Sequence, residues 1–158
     1  MKYFSYKNGF TLIELLVVIS IIGILSALLM SNFIGVRQRA RDAQRKSDLR
    51  QIQSALELYR SDVGSYPAST ATSTTGDTLT TQNCPTPGSL AYNGTVYMQK
   101  IPCDPNGTSY YHGGNYSYYS NGTTYSMSAC LENTSDTSGS TLNVSSCPTK
   151  WGYVLTNP

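Results

Sequence analysis

The feature that most constrains this chain is a long apolar run close to its start. From Phe10 to Val36 the 27 residues are mostly Ile, Leu, Val, Phe, Met and Ala, and the single charged residue is Glu14. In a helix this run extends about 40 Å, which exceeds the roughly 30 Å hydrocarbon core of a bilayer. Small polar residues such as Ser20 and Ser26 are scattered and form no polar stripe. We therefore expect residues 10–36 to form a transmembrane helix.

The segment ahead of this run is short and hydrophilic. Residues 1–9 contain Lys2 and Lys7, as in the basic front of a secretory signal. The apolar run is longer than the core of such a signal, and no Ala-x-Ala site follows it. We therefore expect a membrane anchor that is retained, unless the chain is cut ahead of the apolar run.

The helical pattern continues beyond the run as an amphipathic segment over residues 37–63. Apolar side chains recur there at alternating spacings of three and four residues, which predicts one buried helix face. These positions are Leu49, Ile52, Leu56, Tyr59 and Val63. Ala40 and Ala43 extend a weaker version of the stripe upstream, and Gly64 is a stop signal. We expect one helix from about Phe10 to Asp62.

The remainder, residues 64–158, is polar and rich in turn residues. Residues 69–83 are dominated by Ser and Thr and predict a surface loop. Residues 116–131 contain the hairpin signal Asn121-Gly122 between two strand-like stretches, and Trp151–Leu155 is a plausible last strand. The expected fold class is α+β, in which the distal half of a long helix packs on a small antiparallel β-sheet.

The charge distribution excludes several classes of function. The net charge is only +2, so we predict no specific nucleic-acid partner, which would require a strongly basic face. His112 is the single histidine and no Cys-x-x-Cys pair is present, so we expect no metal site and no cofactor. No nucleophile motif accompanies His112, and we expect no catalytic residues and no enzyme.

Four cysteines lie beyond the apolar run: Cys84, Cys103, Cys130 and Cys147. In a small domain rich in Gly, Ser and Thr they suggest two disulfides and an oxidising compartment. Three connectivities are possible, of which we favour pairing between sequence neighbours, Cys84 with Cys103 and Cys130 with Cys147.

The basic residues that follow the run give a conflicting signal about topology. These are Arg37, Arg39, Arg41, Arg45 and Lys46. By the positive-inside rule they would place the C-terminal domain in the cytoplasm, whereas disulfides would form on the other side. We follow the cysteines and expect residues 64–158 to be extracytoplasmic.

Three stretches resemble one protein family. Lys7-Asn8-Gly9-Phe10-Thr11-Leu12-Ile13-Glu14 is similar to the class III signal of type IV pilins and of type II secretion pseudopilins. Leu56-Glu57-Leu58-Tyr59-Arg60, with Gly64-Ser65-Tyr66-Pro67, is similar to the helix end of major pseudopilins and related pilins. Ile101-Pro102-Cys103-Asp104-Pro105 resembles the turn that precedes their hairpin. The resemblance implies a pilin-like fold with disulfide-stapled loops.

The resemblance also implies roles for three residues. Gly9 would precede the bond cut by a prepilin peptidase, which makes residues 1–9 a leader. Phe10 would become the new N-terminus and be N-methylated, and Glu14 would neutralise the terminal amine of an adjacent subunit during assembly. A carboxylate in an apolar helix is functional by default, because inserting it costs about 2.5–3.5 kcal/mol at the bilayer centre.

The partners implied by the resemblance are membrane lipid before assembly, the prepilin peptidase, an inner-membrane assembly platform and further copies of the chain. We favour a subunit of a type IV pilus, with a major pseudopilin of a type II secretion system as the alternative. The filament would be extracellular in the first case and in the periplasm or cell envelope in the second. A monomeric membrane-anchored binding module that uses its many tyrosines is a further alternative.

Three groups of side chains leave their role open. The basic cluster over residues 37–46 could bind lipid or DNA, but we favour a solvated face or contacts with Asp42 or Asp48 of neighbouring subunits. Asp104 and Asn106 offer oxygens near Gly107, but two ligands do not make a calcium site. Six tyrosines crowd into residues 110–125, and we favour a packing role for them.

Overall fold

The computed structural model describes residues 9–69, 84, 88–142 and 147–158, apart from the side chains of residues 29–32, 109, 111 and 112. Residues 1–8 of the expected leader (1–9) and nearly all of the expected loop over residues 69–83 lie outside these residues. The chain divides into two compact units, Met1–Arg37 and Gln38–Pro158.

Helix α1 extends over Leu12–Val63 and contributes to both units. In the first unit every described side chain from Phe10 to Val36 is exposed, as expected of an apolar helix without a protein partner. Within the described part of the chain no single helix is long and apolar enough for a membrane span. The stretches Leu12–Leu28 and Phe33–Val63 meet that requirement only when they are taken together.

The end of α1 agrees with its predicted stop signal. Gly64 follows the last helical residue with φ +84°, and its N–H donates to the Arg60 carbonyl at 2.8 Å. A left-handed residue at this position satisfies one of the last helical carbonyls, and Gly adopts it without a steric penalty.

The second unit contains a four-stranded antiparallel sheet in the order β3-β4-β6-β5. The strands are β3 (Ser117–Ser120), β4 (Tyr125–Cys130), β5 (Ser140–Thr141) and β6 (Trp151–Thr156). Strands β3 and β4 form the predicted hairpin, but Ser120 pairs with Tyr125, so the loop has four residues rather than two. Asn121 holds that loop, because its Oδ1 accepts the N–H groups of Thr123 and Thr124.

The core lies between one face of α1 and one face of this sheet. The predicted helix stripe is buried at Leu49, Ile52, Leu56 and Tyr59, and Val63 is half-buried. The sheet contributes alternate residues of β4, as a strand with one covered face should. They are Tyr125, Met127 and Ala129, joined by Tyr116 and Tyr118. The α+β prediction of a long helix on a small antiparallel sheet is confirmed.

A second hairpin was not predicted from the sequence. Strands β1 (Leu90–Tyr92) and β2 (Thr95–Met98) are joined by Asn93 and Gly94, with φ of 47° and 84°. Positive φ at both central residues is the requirement of a type I′ turn, which Asn-Gly satisfies best. Leu90 and the half-buried Tyr97 and Met98 join the core.

The outer edge of β3 is covered by the chain that follows α1. Ser69 donates its N–H to the Ser120 carbonyl at 3.3 Å, and the Ser120 N–H donates to Ser69 Oγ at 3.0 Å. The Tyr118 hydroxyl donates to the Pro67 carbonyl in the same segment. These bonds occupy backbone groups that an edge strand would otherwise leave open.

Two disulfides staple the loops, and they join sequence neighbours. Cys84 is bonded to Cys103 and Cys130 to Cys147, with Cα–Cα distances of 6.0 and 5.6 Å. The second disulfide is buried with Leu142 against the half-buried Tyr110, where it forms a small core of its own.

Candidate functional sites: the helix start and the Arg45 cluster

The start of α1 carries a capping box made by Thr11 and Glu14. The Thr11 N–H and hydroxyl donate to Glu14 Oε2 at 2.8 and 2.7 Å, and the Glu14 N–H donates to Thr11 Oγ1 at 3.3 Å. These reciprocal bonds satisfy N–H groups that a helix start otherwise leaves unpaired. Glu14 therefore has a local role in addition to the role that the family resemblance implies.

The predicted cleavage position lies just outside this helix. Gly9 and Phe10 are exposed and precede the first helical residue, Leu12. An added Cβ at Gly9 would meet no atom within 4 Å. The peptide bond between Gly9 and Phe10 is thus accessible in non-helical chain, as a protease requires of the bond that it cuts.

The second unit is organised around Arg45, whose side chain is completely buried. Its Nε and Nη2 donate to the two oxygens of Asp104 at 2.7 and 2.9 Å. Its Nη1 donates to Asp42 at 2.6 Å and to Glu132 at 2.9 Å. The Tyr110 ring lies 4.5 Å from the guanidinium carbon. One cation therefore joins α1 to two loops that are distant in sequence.

Further bonds tie the loop after β4 to the helix. Arg41 forms a bidentate pair with Glu132 at 2.7 and 2.5 Å, and Asn106 Nδ2 donates to the same carboxylate at 2.9 Å. Asp42 accepts the backbone N–H groups of Glu132 and Asn133. We call Arg41, Asp42, Arg45, Asp104 and Glu132 the Arg45 cluster.

Lys46 adds a contact next to the Arg45 cluster. Its Nζ forms an ion pair with Asp136 and also donates to Ser138. Trp151 Nε1 donates to the Asp136 carbonyl. The loop between β4 and β5 is therefore attached at Asp136 to both α1 and β6.

The electrostatics follow from these contacts. The hydrogen bond from Arg41 lowers the pKa of Glu132 to about 2, and that from Lys46 lowers the pKa of Asp136 to about 2. Burial is the largest single influence on Arg45 and would lower its pKa, but the bonds to Asp104, Glu132 and Asp42 together outweigh burial and raise that pKa. All three groups are therefore ionised at neutral pH, and each has an oppositely charged partner.

This arrangement corrects the interpretation of part of the basic cluster over residues 37–46, in which Arg37 and Arg39 are exposed as a solvated face requires. Arg41, Arg45 and Lys46 pair with carboxylates of their own chain rather than facing solvent or a neighbouring subunit. The upstream stripe also differs, since Ala40 and Ala43 are exposed. The buried face instead continues through Asp42 and Arg45, at the same alternating spacing as the apolar stripe. The alternating spacing of three and four residues could have predicted that Asp42 and Arg45 lie on the buried face. It was not recognised because these two side chains are charged.

The oxygens considered for calcium are already engaged. Both carboxylate oxygens of Asp104 accept hydrogen bonds from Arg45, and Oδ1 also accepts the Asn106 N–H. Within the described ranges no group of three or more His, Cys, Asp or Glu side chains could hold a metal ion. Asp104 and Asn106 thus serve the Arg45 cluster.

The tyrosines serve mainly as packing residues, as predicted. Tyr116, Tyr118 and Tyr125 are buried, Tyr110 is half-buried and Tyr119 is exposed. Burial raises the pKa of Tyr118 to about 12 and also raises those of Tyr116 and Tyr125. Their hydroxyls are therefore hydrogen-bond donors at any physiological pH.

Two family models match the chain in adjoining regions. The model described as "Prokaryotic N-terminal methylation motif" matches residues 4–30. The model described as "Type II secretion system (T2SS), protein G" matches residues 32–145, which include the Arg45 cluster.

Curated relatives agree with the second model, and each of these three is described as "Type II secretion system core protein G". The protein of Escherichia coli K12 is 35% identical over 113 residues, which cover 70% of this chain and 74% of that protein. That of Pectobacterium carotovorum is 35% identical over 104 residues, covering 66% of this chain and 65% of its own length. That of Vibrio cholerae is 31% identical over 110 residues, with coverages of 70% and 73%. No solved structure matches the chain.

These matches support the secretion alternative rather than the pilus subunit that we favoured from the sequence. The methylation motif covers Gly9, Phe10 and Glu14, and the protein G match covers the distal half of α1 and most of the β domain. The chain belongs to the type II secretion system protein G family, whose members are structural proteins and not enzymes.

Proposed function

We propose that this chain is the major pseudopilin of a type II secretion system. It is made as a prepilin, cut after Gly9 by a prepilin peptidase and N-methylated on Phe10. The mature chain then polymerises through the apolar helix of residues 10–36 into a filament of the cell envelope. The observation that carries this proposal is the match to protein G over residues 32–145, directly behind a prepilin methylation motif.

The helix start supports the processing step. The Gly9–Phe10 bond lies in exposed, non-helical chain ahead of Leu12. Cleavage there would create a positively charged amine four residues before Glu14. Because an apolar environment strengthens the attraction between opposite charges, each charge lowers the cost of burying the other. In the filament, the Glu14 carboxylate pairs with the N-terminal amine of an adjacent subunit. In the single chain, it forms the capping box with Thr11 instead.

The location and the partners follow from the same chemistry. Before assembly residues 10–36 lie in the cytoplasmic membrane, where lipid covers side chains that are exposed in the single chain. Two disulfides favour the oxidising side of that membrane for residues 64–158. The proposed partners are the prepilin peptidase, an inner-membrane assembly platform and other copies of the chain.

N-terminal sequencing of the native protein, together with its mass, tests the processing step. A mature chain that starts at methylated Phe10 supports it, and an intact Met1 refutes it. Deletion of the gene then separates the two filament classes. Loss of protein export with surface filaments unchanged supports the pseudopilin, whereas loss of surface filaments with export unchanged refutes it in favour of a pilus subunit.

A series of variants separates the charge of Glu14 from its capping bonds. Glu14→Gln keeps an acceptor for the Thr11 N–H and hydroxyl but removes the charge, whereas Thr11→Ala removes the hydroxyl and keeps the charge. We expect Glu14→Gln to lose most filaments while Thr11→Ala retains them, with leader cleavage and membrane insertion intact in both. Normal filaments from Glu14→Gln would contradict the charge role. Filament yields measured by quantitative imaging provide the comparison.

A further inference from the structure

Asp48 is a buried carboxylate without a counter-ion among the residues that the structure describes. It is 6% exposed, and its hydrogen-bond partner is the Tyr116 hydroxyl, which donates to Oδ2 at 2.7 Å. No Lys or Arg among the described residues lies within ion-pair distance of it. Among the nearby basic residues of α1, Arg41, Arg45 and Lys46 are paired with other carboxylates, and Arg50 is exposed.

The surroundings of Asp48 contain an excess of negative charge. Counting Asp48, the Arg45 cluster and the Lys46 pair together, five carboxylates face three cations. The carboxylates are Asp42, Asp48, Asp104, Glu132 and Asp136, and the cations are Arg41, Arg45 and Lys46. Full ionisation would therefore leave the buried part of the domain with uncompensated negative charge.

Each group that faces Asp48 has a defined charge. Tyr116 faces it as a neutral donor, because burial raises the pKa of that phenol. Asp104 faces it as a like charge from the loop after β2. Arg45, one helical turn earlier on α1, directs its bonds to Asp42, Asp104 and Glu132.

The surroundings of the Asp48 carboxylate favour the binding of a proton. An ionised carboxylate buried without a cation carries a large desolvation penalty, and protonation removes the charge. Burial raises the pKa of Asp48, Asp104 raises it further, and the bond from Tyr116 opposes them. Arg41 holds Glu132 in the charged form, and Asp42 and Asp104 form ion pairs with Arg45. Asp48 has no such cation among the described residues, so it is the carboxylate that takes up the proton.

We propose that Asp48 is a proton-binding site of the folded domain, occupied at low pH and vacated as the pH rises. A group whose pKa is raised on folding contributes stability that is fully present below its unfolded value, near 3.9. That stability is lost as the pH rises through the folded value. Proton uptake at Asp48 thus stabilises the contact of α1 with the loop of Asp104 and with Tyr116. This property does not depend on the proposed secretion role.

The test compares Asp48→Asn with wild type. Asparagine keeps the size and the acceptor for Tyr116 but cannot ionise. Asp62→Asn is the control, because Asp62 lies exposed on the same helix. Full-length protein in detergent micelles is unfolded with denaturant at several pH values from about 4 to 8. The single histidine, His112, is present in wild type and in both variants, so it contributes equally to each pH dependence. We expect the wild-type folding constant to fall by up to about tenfold per pH unit above 3.9.

In Asp48→Asn this fall should be absent, so that the variant is the more stable protein at the upper end of the range, while Asp62→Asn follows wild type. An unchanged pH dependence in Asp48→Asn would overturn the proposal. Carbon-13 NMR titration of the Asp48 carboxyl in wild type provides a measurement that does not require the variant to fold. A pKa at or below about 3.9 would overturn the proposal, and a higher one supports it.

Discussion

Arg45 shows how a single residue can organise a small domain whose apolar core is thin. Its planar fork supplies donors to three carboxylates from three parts of the chain, which a lysine could not match in geometry. Buried ion pairs of this kind add little net stability compared with an apolar substitute, but breaking one leaves charges that cannot be solvated. The residue therefore determines how the loops are placed on the helix.

Arg45→Met should destabilise the domain severely. Loss of the guanidinium leaves Asp42, Asp104 and part of Glu132 buried without their cation, and such a loss costs about 3–5 kcal/mol. Arg50→Met is the matched control on an exposed position of α1, where we expect a change within about 0.5 kcal/mol. Denaturant unfolding of both variants at neutral pH measures the difference. Similar free energies of unfolding for the two variants would contradict the organising role of Arg45.

At the scale of elements, the sequence predicted the features that rest on a regular spacing of apolar residues or on a turn or stop residue. The apolar stripe from Leu49 to Tyr59 predicted the buried helix face, and Gly64 predicted its end. The hairpin of β3 and β4 was predicted from Asn121-Gly122, although with a shorter loop. The hairpin of β1 and β2 was missed because a three-residue strand carries too little pattern to be recognised, even around an Asn-Gly turn.

Of the two candidate sites, the helix start was predicted from the sequence and the Arg45 cluster was not. Gly9, Phe10 and Glu14 were predicted from a local motif, which needs no knowledge of the fold. The Arg45 cluster was missed because Asp104 and Glu132 lie 59 and 87 residues from Arg45 in sequence. Such a cluster exists only after the loops have folded onto the helix, and a single sequence does not reveal which charges meet.

The close approach of β6 to its neighbours predicts a sensitive glycine. A Cβ added at Gly152 would lie 2.0 Å from Leu142 Cδ1 and 2.6 Å from the Ala129 carbonyl oxygen. Because the backbone oxygen has little freedom to move, we expect Gly152→Ala to cost about 1–3 kcal/mol through overpacking. Thr141→Ala, exposed on the adjacent strand, should cost less than about 0.5 kcal/mol. Thermal unfolding of the pair checks this, and equal melting temperatures would contradict it.

For the whole molecule, the ion pairs between α1 and the loop after β4 predict acid sensitivity. The pKa values of Glu132 and Asp136 are lowered to about 2 from ordinary values of 4.5 and 3.8. A lowered pKa contributes stability that is present above the ordinary value and lost as the pH falls through the lowered one. We therefore expect the denaturant midpoint to decline progressively from about pH 4.5 to pH 2.

Glu132→Gln combined with Asp136→Asn should flatten that decline and lower the midpoint at neutral pH. A decline as steep as that of wild type in the double variant would contradict the assignment. Together with the proton proposed at Asp48, these pairs predict that stability falls on both sides of a maximum, toward acid through Glu132 and Asp136 and toward higher pH through Asp48. The loss of stability in acid arises at Glu132 and Asp136, and the loss at higher pH arises at Asp48. Substitutions can therefore remove either pH dependence without the other.

The covered edge of β3 has a consequence for a chain that assembles with its own copies. Filament growth brings many identical sheets into close proximity, which is the condition under which open strands recruit one another into cross-β aggregates. In this protein Ser69 already occupies the backbone groups of Ser120, and the opposite edge strand, β5, has only two residues. In the proposed filament, this arrangement would disfavour pairing between the sheets of crowded copies, so that the copies would associate through the exposed apolar helix instead.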